Sequence, residues 1–244
     1  MCSCNGIFCC IHKAGYYFLW NPSIRKFKLL RPLEYPRKGY AISINYFGYD
    51  HFIDNYKVIV VSSKGEVCVN TLGTDYWRII WDIPNDYNIS QSGIFVSGTV
   101  NWFQSDNSSI LSLDLEKESY QMLSLPDYEN ENVSWTLGVV SDCLCVFARS
   151  DMFLDVWIMK EYGNKESWTK FYTIPNLHDQ DLEPDTALYI SEDDQLLVEC
   201  YEVQTGNMKL VVYDSKTGTS NIPEFQNNYR HTNAKVYIES LISP

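Results

Sequence analysis

The chain has 244 residues, 45% of them hydrophobic and 15% aromatic, including 18 Tyr and 7 Trp, which sets it apart from disordered compositions and supplies a substantial core. Nineteen Lys and Arg against 31 Asp and Glu give a net charge of −12, spread along the chain. That balance argues against nucleic acid or an anionic membrane surface as the main partner, since both need concentrated Lys and Arg. No apolar run reaches the roughly 18 residues of a membrane span, and no signal-peptide pattern opens the chain. A cytoplasmic or nuclear location is therefore expected, with the eight cysteines reduced.

In chain order, the first apolar run is short, over residues 6–12, and precedes the strand pattern YFLWN at 17–21. With only that run before Tyr17, the first repeat reads as truncated. A β-rich run followed by a polar or glycine-bearing turn recurs at 67–71, 110–114, 155–159 and 210–214. Each unit closes on an apolar residue at or near a proline. Pro32, Pro84, Pro126, Pro175 and Pro223 are spaced by 52, 42, 49 and 48 residues, and an aromatic (Phe27, Trp77, Tyr120, Trp168) precedes the first, second, third and fourth of them. A second hairpin lies upstream in most repeats, clearest around Ser97-Gly98, Ser141-Asp142 and residues 192–195. Two hairpins per period of about 40–50 residues is the arithmetic of a four-stranded propeller blade.

The expected fold is therefore all-β, a kelch-like propeller of about five four-stranded repeats. It forms a single domain over 1–244, with repeats at 3–32, 40–84, 92–126, 134–175 and 186–223 and a closing strand at 235–241. Trp20, Trp77, Trp102, Trp157 and Trp168 read as packing residues of that scaffold, because aromatics repeated at one phase suit the gaps between blades.

Signals for chemistry are weak. His12, His51, His178 and His231 show no paired spacing, and no HExxH, GxSxG, P-loop or GxGxxG motif occurs. The close cysteine pairs at 2/4, 9/10 and 143/145 lack C-x-x-C spacing, so buried small hydrophobes are expected rather than zinc ligands. No catalytic residue, metal, cofactor or small-molecule substrate is expected.

Several blocks taken together carry a family resemblance: SCNGIFC at 3–9 with LWNPSIRKF at 19–27, FGYD at 47–50 with DNYKV at 54–58, and YWR at 76–78. GIFVSG at 93–98 with Trp102, LGV at 137–139, DVWIMKEY at 155–162 with ESWTK at 166–170, and VYIESL at 236–241 continue in order. The chain resembles the plant F-box-associated domain of F-box/kelch-repeat-type proteins, across essentially its whole length. The resemblance implies a substrate-receptor module of an SCF ubiquitin ligase that binds a protein target and is not an enzyme. It also implies the Skp adaptor as a partner only where an F-box precedes the domain, and no F-box helices occur in these residues.

Specificity is expected on the loops that vary in length against the repeat, at 46–53, 85–92, 127–132 and 176–185. Their candidate partner-binding residues are Tyr49, His51, Tyr87, Tyr128 and His178. A carbohydrate-binding module, using exposed Trp and Tyr, and a propeller-type hydrolase or oxidase are the alternative readings.

Overall fold

The computed structural model describes residues 2–12, 16–30, 32, 42–62, 66–74, 76–82, 93–104, 109–129, 133–177, 181–191, 193–223, 234 and 236–244. Tyr87, His178, the loop 85–92 and His231 lie outside the described residues. The strands form five four-stranded antiparallel sheets, each a meander in chain order, the blades of a β-propeller. The first sheet comprises β1 (Cys2–Cys4), β2 (Ile7–Ile11), β3 (Tyr17–Asn21) and β4 (Lys26–Leu29). The second has β5 (Ile42–Asp50), β6 (Asn55–Ser62), β7 (Glu66–Thr71) and β8 (Arg78–Asp82). The third has β9 (Ile94–Val96), β10 (Thr99–Phe103), β11 (Ser109–Asp114) and β12 (Ser119–Ser124). The fourth has β13 (Ser134–Val140), β14 (Cys143–Arg149), β15 (Phe153–Met159) and β16 (Trp168–Pro175). The fifth has β17 (Leu182–Ile190), β18 (Gln195–Glu202), β19 (Met208–Asp214) and β20 (Thr219–Asn221). The chain divides into two compact units, Met1–Leu123 with Tyr237–Pro244, and Ser124–Val236.

The truncation expected at the first repeat is corrected by β1. Cys4 pairs with Ile7 across Asn5-Gly6, whose φ angles of 47° and 74° suit a two-residue turn of the primed type. The first sheet thus holds four strands within the chain. Ser97-Gly98 and Ser141-Asp142 turn in the same way, with positive φ at both residues of each. Wider hairpins use an Asx turn: Asp114 Oδ1 accepts from the N–H groups of Glu116 and Lys117, and Asp214 Oδ1 from those of Lys216 and Thr217.

β6 shows why some strands read as unbroken apolar runs. Its alternate residues Val58 and Val60 pack with Ile7, Cys9, Tyr17, Leu19 and Phe47, while Ile59 and Val61 pack with Val100, Trp102, Leu111 and Leu113. Both faces of the second sheet are buried, so both phases of the period-2 pattern must be apolar. In the second unit, Cys145, Phe147, Val156 and Ile158 pack against Ala187, Leu196, Val198 and Val211.

The tryptophans divide. Trp102 and Trp168 are buried, and the Trp168 indole N–H donates to the Ser124 carbonyl at 3.0 Å. Trp77 and Trp157 are half-buried, Trp77 lying 5.3 Å from the Tyr17 ring. Trp20 is 41% exposed, so its ring does not serve as the core residue expected from sequence.

The run expected as a closing strand, 235–241, has no strand assignment over its described residues 236–241. The Ser240 carbonyl within it, and the Ile242 carbonyl just beyond it, accept from a side chain. The fully buried Asn21 amide donates to the Ser240 carbonyl at 3.0 Å and to the Ile242 carbonyl at 2.8 Å. Ser240 Oγ donates to the Asn5 carbonyl at 2.5 Å, and Tyr237 rests 5.2 Å from the Phe8 ring. Gly6 permits this approach: a Cβ there would lie 2.5 Å from the Ile238 carbonyl oxygen.

Candidate functional site

The turn after β5 is the best-built loop site of the first unit. Asp50 ends β5 at 3% exposure, and its Oδ1 accepts from the Phe52 N–H at 2.9 Å, so residues 51–54 leave the strand through an Asx turn. Asp54, at φ 53°, turns the chain back into β6. From β6, Lys57 Nζ lies 2.6 Å from Asp50 Oδ2, with the two side chains 8% and 2% exposed. The same ammonium reaches the Leu115 carbonyl at 3.4 Å, and the Leu115 N–H donates to the Gly98 carbonyl at 3.2 Å. One buried ion pair thereby ties together loop 51–54, turn 97–98 and loop 115–118.

Those three loops enclose a cavity of about 230 Å³ lined by Asp50, His51, Phe52, Phe95, Ser97, Gly98 and Leu115. Phe52 of its lining is 61% exposed, and the next residue in the loop, Ile53, is 47% exposed. The volume falls below the roughly 300–1,000 Å³ of small-molecule sites and suits a single inserted side chain. Gly98 sits at φ +79°, and a Cβ on it would come within 3.3 Å of the Phe52 ring. Loop 115–118 is braced from outside by Arg78, whose guanidinium donates twice to the Glu118 carboxylate, once at 2.8 Å. Those hydrogen bonds hold the Glu118 carboxyl below its ordinary range.

Of the residues singled out from sequence, His51 lies on this pocket and is exposed. Tyr49 is half-buried behind it. Its hydroxyl donates to Asp54, and its ring meets His51 and Tyr56 edge-on at 5.0 and 5.1 Å. Tyr49 therefore braces the loop.

Tyr128, in the second unit, belongs to a different cluster. Its hydroxyl donates to Asp155 Oδ2 at 2.7 Å, and its ring meets Trp135 and Trp157 edge-on at 5.4 and 6.0 Å. Lys170 Nζ lies 2.7 Å from the same oxygen and caps the Tyr128 and Trp157 rings at 5.6 and 5.4 Å. Thr173 donates to Asp155 Oδ1. Burial, then the hydrogen bond to Asp155, pushes the Tyr128 phenol up. The structure thus brings His51 and Tyr49 together and holds Tyr128 in a sheet-braced cluster.

Lys57, Phe95 and Leu115 were not legible as site residues, and Asp50 and Phe52 were marked only as members of the stretch 46–53. The one local signal was an Asp at the end of a strand, two residues before a Phe, the spacing of an Asx turn.

Asp50 is held by Lys57 and the Phe52 N–H, and among the described residues lining the pocket no hydrogen bond pairs a nucleophile with a base. Among the described residues, no group of three or more His, Cys, Asp or Glu converges. Burial raises the Cys4 thiol to about 11 and the Cys200 thiol to about 12, far from the thiolate needed for attack or metal binding at neutral pH. What the geometry offers is a shaped, partly apolar recess on rigid supports.

Residues 1–244 match the family described as the F-box associated beta propeller domain. The chain belongs to this family. Relatives include the F-box/kelch-repeat protein At3g23880 of Arabidopsis thaliana, 29% identical over 99% of this chain and 68% of that protein. The F-box protein CPR1 of Arabidopsis thaliana is 23% identical over 98% of this chain and 67% of that protein. Among solved structures, YCF48 from Cyanidioschyzon merolae superposes with a TM-score of 0.53 at 11% identity, covering 88% of this chain and 68% of that one. TolB from Acinetobacter baumannii gives 0.53 at 12%, over 88% of this chain and 51% of that one. These two likenesses concern the fold alone. An F-box associated β-propeller is an interaction domain of F-box proteins, and its family is not one of known enzymes.

Proposed function

We propose that this chain is the target-receptor part of an F-box protein in an SCF-type ubiquitin ligase, capturing a protein substrate at the rim pocket of its first unit. Binding alone is its task. The Skp adaptor is engaged by an F-box, and the receptor works in cytoplasm or nucleus. The observation that carries the reading is the pocket itself: a recess of about 230 Å³ with Phe52 exposed in its lining and a buried Asp50–Lys57 pair as its support. An apolar anchor in a fixed recess with a polar surround is how protein interfaces concentrate their binding energy. The names of the relatives, F-box proteins over two thirds or more of whose length this chain aligns, support the ligase setting.

The test is affinity capture with the tagged chain against a Phe52→Ser/Ile53→Ser variant whose circular dichroism and melting match the parent. The expected result is a small set of proteins held by the parent and lost from the variant. Identical sets would remove the pocket from target capture.

A further inference from the structure

We propose that the outer edge of the first sheet binds an extended segment of a partner protein in which apolar and acidic residues alternate, added as a strand beside β4. This surface shares no residue with the rim pocket.

Pairing across β3 and β4 sets Phe18 beside Leu29 and Trp20 beside Phe27 on one face. The opposite face carries Tyr17 and Leu19 into the core. At the inner end of the open face, Tyr237 closes over Phe8. The outer end stays open: Tyr16 is 48%, Trp20 41%, Phe27 69% and Leu29 63% exposed. With His12 and Phe18 they line a groove of about 510 Å³. An exposed aromatic cluster of this extent marks an interaction surface.

The backbone and the charges say what fits. The Leu30 N–H donates to the Tyr17 carbonyl at 2.9 Å, which fixes the phase of the ladder. By the alternation of antiparallel pairing, Lys26 and Lys28 bond toward β3, and the N–H groups of Phe27 and Leu29 point outward from the sheet edge. β4 is exposed along its whole length. An added strand would set one set of side chains beside Phe27 and Leu29 over the groove, and the alternate set beside Lys26 and Lys28. Cross-strand preference makes the first set apolar and the second acidic.

The charge of the region agrees. Of the 31 Asp and Glu, only Glu34 lies within the first 40 residues, while Arg25, Lys26 and Lys28 are exposed, the two lysines on the face of β4 opposite Phe27 and Leu29. Aromatics beside cations also serve single-stranded nucleic acid. A phosphate backbone, though, offers no alternating partner to β4, and the net charge of −12 opposes a polyanion.

The probe is a fluorescein-labelled octapeptide alternating Glu with Leu and Phe, titrated with the full chain by fluorescence anisotropy. Its comparators are the same peptide with Lys for Glu, and a dT12 oligonucleotide. The acidic peptide is expected to bind about tenfold more tightly than the basic one, from two favourable cross-strand charge pairs in place of two unfavourable ones. Lys26→Glu/Lys28→Glu should reverse that order, Phe27→Ser should weaken the acidic peptide, and Phe52→Ser should leave it unchanged. Equal binding of the two peptides, an order unchanged by charge reversal, or tighter binding of the oligonucleotide would overturn the proposal.

Discussion

Two buried carboxylates, one in each unit, meet a lysine at nearly the same distance and stand in different situations. Asp50 is 3% exposed and has Lys57, itself buried, as its cation at 2.6 Å; its other oxygen holds the turn of loop 51–54. Asp155 is fully buried, yet it also accepts from Tyr128 and Thr173, and its Lys170 is 44% exposed at 2.7 Å. A buried charge is tolerated in proportion to how fully its lone pairs are met. Asp155 is over-provided and serves a sheet; Asp50 depends on one ammonium and serves a recess. The second arrangement holds a binding loop at a defined place and makes that loop sensitive to a single substitution.

The sharpest way to break the comparison is to remove each lysine. Lys57→Met leaves Asp50 buried without its cation and should lower stability by about 3–5 kcal/mol. The double variant Asp50→Leu/Lys57→Met should recover most of that loss, because apolar replacements of a buried pair are often neutral. Lys170→Met should lower stability by only about 1 kcal/mol or less, since its ammonium is partly solvated and Asp155 keeps two donors. Denaturant midpoints of the three proteins decide; equal losses for the two single variants would erase the distinction.

Gly98→Ala should follow, at about 1–2 kcal/mol, because a side chain at φ +79° is strained and its Cβ meets the Phe52 ring. Capture of target should fall with it, and unchanged capture would show that the pocket tolerates a displaced Phe52.

Acid should have a milder effect. Asp114 and Asp214 are held below their ordinary values chiefly by backbone hydrogen bonds in their turns, and Glu118 by Arg78. Their folded-state values are depressed, so their contribution is complete above the ordinary carboxylate range and fades as pH falls through the lowered values. Melting temperature should therefore decline on acidification below about pH 4 and stay level above it. Arg78→Ala should flatten part of that decline. The smallest effect is expected at Lys216, whose side chain is 62% exposed in its pair with Asp194: Lys216→Ala should stay within about 0.5 kcal/mol.

The repeat was readable because blade turns and strand alternation are local. Ser97-Gly98 and Ser141-Asp142 carry their turn chemistry in two residues, and Asn5-Gly6 carried an equally strong signal that would have completed the first sheet. What sequence could not give was pairing at a distance. Lys57 and Leu115 are 58 positions apart, and Asn21 and Ser240 are 219 apart. Trp20 and Trp102 occupy similar strand patterns, and only the packing of neighbouring sheets separates an exposed ring from a buried one. Tyr128 looked like a free loop aromatic because its partners, Asp155 and Lys170, lie 27 and 42 residues further along the chain.

The most direct measurement is site-specific photocrosslinking with benzoylphenylalanine at position 52 and, separately, at position 216. Both variants are exposed to a target captured by the parent chain and assayed for covalent adduct. Target capture at the rim pocket requires an adduct from position 52 and none from position 216. An adduct from position 216 with none from position 52 would contradict it.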